Sequence, residues 1–174
     1  MPEASKETWV TWVALTATVL AVLAAIAALK ATSYSTKVQL ATTREANQWA
    51  YYQAKSIKEH SYALNRDILA AVRLQETKNP KLQRFLTDKI KEYEGEVARY
   101  DQEKGQIKKG AEDIQKEQEV YKQKNGNFAV AVMLLLIAIM CSAVGALIKK
   151  KIMWLLGLIL GGWGIYYFVI GFLR

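Results

Sequence analysis

The chain has 174 residues, of which 52% are hydrophobic and 23% charged, with a formal net charge of +8. A single cysteine, Cys141, excludes a disulfide framework and a thiolate metal cluster held by a single copy. Apolar and charged residues are segregated along the chain, an all-helical composition with transmembrane blocks.

Residues 1–8 form a short polar tail. Residues 9–29 contain no charged side chain, enough for one helix to cross a hydrocarbon core of about 30 Å. Trp9 and Trp12 sit where an interfacial belt would put them. The run is longer than the core of a cleavable signal peptide and continues into Lys30 without a turn signal, so it reads as an uncleaved anchor. Ala17, Ala21, Ala24, Ala25 and Ala28 form a small-residue stripe of the kind that lets helices approach closely in lipid.

The next region, residues 30–127, is long, charged and patterned in heptads. Neither Gly nor Pro occurs between Glu3 and Lys78, so the first span is expected to run on into this region as one very long helix. Lys78-Asn79-Pro80 is the first break, because Pro80 disfavours a helical residue before it and suits a first helical turn. Asn125-Gly126-Asn127 is expected to be the second. The two arms, 30–77 and 80–124, differ in length by only three residues and each span roughly 70 Å as helix. Equal lengths suit an antiparallel hairpin that leaves a bilayer and returns to it, with its tip at 78–80.

The second arm carries the cleanest period. Ile90, Tyr93, Val97, Tyr100, Lys104, Ile107, Ala111, Ile114, Gln118 and Tyr121 follow at alternating steps of three and four, an a/d seam. On the first arm the apolar stripe Ala46, Ala50, Ile57, Leu64, Ile68 and Ala71 is its expected partner. Tyr51, Tyr62 and Leu69 project from the other side, among Lys55, Lys58, Arg66 and Arg73, and are expected to be covered by a second protomer. A two-helix hairpin has little core of its own. Gly95, Gly105 and Gly110 weaken its second helix by about 1 kcal/mol each relative to Ala. Both features argue for further helices around it.

Residues 128–148 form a second uncharged run and residues 152–173 a third, separated by Lys149, Lys150 and Lys151. Gly157 and Gly161 make a GxxxG pattern, expected to lie at a protomer contact. Three crossings place the N-terminus and the basic loop on one side and the polar hairpin on the other. Orientation signals compete, since Lys30, Lys37, Arg44, Lys116, Lys122 and Lys124 beside the spans pull the hairpin inward. The positive-inside rule, weighted towards the short loop, prevails over them and puts Lys149–Lys151 in the cytoplasm and the hairpin outside it. The expected fold is therefore an all-α membrane protein with three transmembrane helices and a long antiparallel coiled-coil helical hairpin between the first and second.

Chemistry is sparse. His60, the single histidine, has no convergent partners in the sequence and reads as a helix-surface residue rather than a ligand. There is no P-loop, dinucleotide fingerprint, nucleophile elbow or HExxH motif, and no ionisable residue inside the three spans. No catalytic residue, cofactor or metal site is assigned, and a nucleic-acid partner is not expected. The partners expected are the lipid bilayer and further copies of the chain.

The segment Trp49, Tyr52, Gln53, Ala54 and Lys55 after an N-terminal span, with two C-terminal spans split by a basic loop at Lys149–Lys151, resembles a bacterial membrane family catalogued as a domain of unknown function (number 4337). The resemblance implies a multi-pass protein of the bacterial inner membrane and implies no activity. The acidic, His-rich tail of some members has no counterpart in residues 1–8, so no metal role is carried over. Two classes of function stay open: a homo-oligomeric scaffold with a coiled-coil stalk, or a channel or transport component. The polar candidates for a pore are Thr11, Thr16 and Thr18. A membrane-anchored adaptor that binds a partner helix along Tyr51–Tyr62 is a third.

Overall fold

A computed structural model describes residues 3–75 and 78–173. The predicted end of the first arm at Glu76 and Thr77 lies outside the described residues. All regular structure among them is helical: α1 (Glu3–Gln75), α2 (Pro80–Ile148) and α3 (Lys151–Leu173). Each contains a stretch long and apolar enough to cross a membrane.

The helix ends follow local chemistry. Asn79 caps α2: its side-chain oxygen accepts from the amides of Lys81 (3.1 Å) and Leu82 (3.3 Å), and its carbonyl from Gln83 (3.0 Å). Pro80 then occupies the first helical position, where its missing N–H costs nothing. At the other end of α2, Lys149 is left-handed, with φ 55°. Its amide donates to Ala146 (3.3 Å) and that of Lys150 to Gly145 (3.1 Å). This is a Schellman closure, with lysine where glycine is usual.

The expected break at Asn125-Gly126-Asn127 does not occur, and α2 runs through it. Gly126 costs the helix about 1 kcal/mol relative to Ala. Tyr121 and Phe128, on either side, both pack on the Tyr34 ring (centroids 6.2 and 5.8 Å away), and these tertiary contacts offset the weak propensity.

The chain divides into two compact units. The first holds the described residues up to Leu40 and from Gln118 onward. Its core joins Leu20 and Ala24 of α1 to Leu135 and Ala138 of α2, and Ala27 to Phe128 and Ala131. The third helix presents glycines to this core. A Cβ on Gly157 would meet Ser142 Oγ at 2.7 Å and the Ala138 carbonyl at 2.8 Å, and one on Gly164 would meet Leu135 Cγ at 2.9 Å. Gly161 faces Leu20. Gly157 and Gly161, expected at a contact between protomers, therefore pack inside one chain. The physical reason is that the missing side chains let α3 close onto α2 and α1. Large side chains cover the outside, among them Leu15, Val19, Met133, Met140, Leu155, Ile159 and Trp163.

The second unit, Ala41–Glu117, contains one arm from α1 and one from α2. The arms run in opposite directions: Arg73 reaches Thr87, Tyr62 meets Tyr93 and Tyr100, Glu59 pairs with Lys104, and Lys55 with Glu103. Its buried apolar side chains are few: Ala41, Leu86, Ile90, Tyr100 and Ala111.

Candidate functional site

On the α2 arm, Ile90 and Tyr100 are buried, and Tyr93, Val97, Ile107 and Ile114 half-buried. Tyr121, in the first unit, is also half-buried. The α1 arm turns a different face to them. Ala41, Glu45, Gln48, Tyr52, Lys55, Glu59, Tyr62, Arg66, Leu69 and Arg73 are buried or half-buried at alternating steps of four and three, with Trp49, Ser56, Ala63 and Ala70 half-buried beside them. Most of these inward positions are polar. Tyr62 stands edge-on to Tyr93 (5.4 Å between centroids) and stacks on Tyr100 (5.7 Å). Lys55 and Glu103 are 2.5 Å apart, and Lys104 pairs with Glu59. The hydrogen bond that Lys55 donates to Glu103 holds the lysine above its usual value, and the same bond holds the Glu103 carboxyl below its own. The Glu59 carboxylate likewise raises Lys104.

The expected first-arm seam is thus corrected. Ala50, Ile57, Leu64 and Ile68 are exposed, Ile57 by 69% and Leu64 by 63%. Rotating α1 to bury them would carry Lys55 and Glu59 away from Glu103 and Lys104, and would pull Tyr62 from its two tyrosines. Tyr62 and Leu69, expected at a contact between protomers, instead face the second arm. Tyr51 is exposed, with the Lys55 ammonium 5.3 Å from its ring centre. The result is an outward stripe of Ala50, Ala54, Ile57, Ser61, Leu64, Ile68 and Ala71, again at steps of four and three. The Trp49–Lys55 segment straddles both faces. Tyr52 and Lys55 lie in the seam, and the Trp49 ring rests edge-on to Tyr52 (5.7 Å). Gln53 and Ala54 are exposed.

In the first unit, one end of the three-helix packing gathers aromatic rings under lysines. Tyr34 stacks on Phe128, and Phe128 meets Phe168 and Phe172 edge-on. The Lys37 ammonium lies 5.1 Å from the Tyr34 centroid and 5.4 Å from that of Tyr121. Lys124 lies 5.9 Å from Tyr34, and Lys30 lies 5.4 Å from Phe172. Towards the other end, Lys149, Lys150 and Lys151 are exposed at the turn between α2 and α3. The hydroxyl of Thr16 donates to the carbonyls of Trp12 and Val13 and accepts from the Trp154 indole, and that of Thr18 donates to Ala14. His60 is exposed, and no group of three potential metal-ligating side chains occurs among the described residues.

Residues 9–174 match the family described as a domain of unknown function (DUF4337), and the chain belongs to that family. No curated protein and no solved structure matches it.

Proposed function

We propose that this DUF4337 family member is a membrane-anchored scaffold that assembles with copies of itself. The first unit spans the bilayer with its three apolar helices. The second unit stands in water as a coiled-coil hairpin. The observation that carries the reading is the outward stripe Ala50–Ile57–Leu64–Ile68. A helix in water gains nothing by exposing a regular apolar heptad, whereas a second copy of the same stripe covers it. Two chains in one bilayer present their first arms in parallel, so each stripe meets its equivalent about a two-fold axis. Small positions alternate with large ones, Ala54 with Ile57 and Ser61 with Leu64, which lets the two helices approach closely.

The apolar outer surface of the first unit supports its insertion, since exposed patches of that extent mark a membrane or partner contact. The positive-inside rule then places Lys149–Lys151 in the cytoplasm and the hairpin on the opposite side. The channel alternative, whose polar candidates are Thr11, Thr16 and Thr18, draws less support, since the hydroxyls of Thr16 and Thr18 donate to carbonyls of their own helix.

Mass measurement of the full chain in lipid nanodiscs tests the assembly. The wild type is expected as a dimer or larger, and Ile57→Ser with Leu64→Ser is expected to shift it towards monomer. A wild type that stays monomeric across concentrations overturns the proposal.

A further inference from the structure

The lysines around the Tyr34 ring form an unusual electrostatic arrangement. The Lys37 and Lys124 ammoniums lie 5.1 and 5.9 Å from the same ring centroid, so two like charges are drawn to one aromatic side chain. Lys30 is held by Phe172 of α3 at the same end. Among the described residues, none of Lys30, Lys37, Lys122 and Lys124 pairs with a carboxylate. In residues 30–40 and 118–127 these four lysines are opposed by a single acid, Glu119. The second unit contrasts with this, since its half-buried lysines at 55 and 104 each meet a glutamate.

The location gives the arrangement a meaning. Lys30 directly follows the uncharged run 9–29, and Lys124 precedes the uncharged run 128–148. Tyr34 and Tyr121 are half-buried beside them, and tyrosine is enriched where spanning helices meet lipid headgroups. A ring face satisfies only part of an ammonium, leaving N–H donors pointing away from it. Two such ammoniums close to one ring, neither paired with a carboxylate of the described residues, are preorganised for a phosphate oxygen.

We propose that this rim binds the phosphate of an anionic phospholipid, held between Lys37 and Lys124 on the Tyr34 and Tyr121 rings, with Lys30 beside it. The inference rests on the reading that the first unit spans the bilayer. The site fixes the depth and tilt of the first unit, and makes the anchor responsive to the anionic lipid content of the leaflet that contains it.

The test titrates the full chain in mild detergent with phosphatidylglycerol, phosphatidylcholine and inorganic phosphate, and reads bound lipid by native mass spectrometry. Phosphatidylglycerol is expected to bind at least tenfold more tightly than phosphatidylcholine, with inorganic phosphate a poor competitor. At roughly 1 kcal/mol per basic residue near an anionic surface, the double variant Lys37→Gln/Lys124→Gln should lose about tenfold or more of that preference. Lys108→Gln/Lys109→Gln, with the same change in net charge in the second unit, should lose none. Equal binding of the two lipids, equal losses in the two variants, or full competition by inorganic phosphate overturns the site. Flotation with phosphatidylcholine vesicles after an alkaline wash separates the two levels. A wild type that does not float sinks the membrane reading itself, whereas one that floats without lipid preference sinks only the headgroup site.

Discussion

Tyr62 distinguishes the face of α1 that packs within the chain from the exposed face proposed to meet a second copy. Replacing it with Ala removes an edge-on contact with Tyr93 and a stack on Tyr100. At about 0.5–1.5 kcal/mol for each aromatic pair, those contacts are worth about 1–3 kcal/mol. The side chain is half-buried. Half of the roughly 1.5–3 kcal/mol for burying a large apolar side chain adds about 1 kcal/mol. The sum, about 2–4 kcal/mol, should appear as local opening of the arms. Hydrogen exchange of the full chain in nanodiscs should therefore speed up about 30-fold or more at amides near residue 62, at every protein concentration. Ile57→Ala should behave differently. Its side chain is 69% exposed within one chain, so any loss of protection should grow as the protein is diluted and the copies part. Concentration-independent loss for Ile57→Ala, with none for Tyr62→Ala, would mean that α1 packs by the opposite face.

Four further outcomes follow from other contacts in the structure. Gly157→Ala should lower thermal stability in detergent by about 1–3 kcal/mol, because its Cβ would meet Ser142 Oγ and a backbone oxygen below 3 Å. Gly162→Ala, with nothing within 4 Å, should be neutral or stabilising. Asn79→Ala should cost about 1 kcal/mol by removing the acceptor for two α2 amides, seen as faster exchange at Lys81 and Leu82. The second unit should also depend on pH at both extremes. Glu103 lies below its ordinary value, so its contribution is present above the unfolded carboxyl pKa and is lost as pH falls through the folded one. Lys55 and Lys104 lie above theirs, so their contribution is full below the unfolded lysine pKa and is lost as pH rises through the folded value. Exchange protection should therefore be flat from about pH 5 to 10 and fall beyond either limit.

Much of the helical plan was legible in the sequence, because the absence of Gly and Pro between Glu3 and Lys78 and the Asn79-Pro80 pair define where α1 and α2 part. The α2 seam was legible because Ile90, Tyr93, Val97 and Tyr100 are large and periodic. The α1 seam was not. Its positions include Lys55 and Glu59, whose charges are acceptable there because Glu103 and Lys104 arrive from the other arm, and Arg66, which pairs with Asp67 of its own helix. Hydrophobic periodicity pointed to Ile57, Leu64 and Ile68, the better apolar stripe, which faces outward. The GxxxG pattern signalled close approach at Gly157 and Gly161 but carried nothing about which helix approaches. The continuous helix through Gly126 depends on Tyr34, a residue distant in sequence that holds both Tyr121 and Phe128.

The most direct test of stripe-to-stripe assembly is oxidative cross-linking of the membrane-embedded chain with Cys141→Ala as background. Leu64→Cys and Ile57→Cys should each give disulfide-linked dimers, because a two-fold axis along the stripe brings each position to its own copy. Asp101→Cys, exposed on the other arm, should give few. Dimers of equal yield at all three positions, or none at Leu64 and Ile57, would contradict assembly through this face.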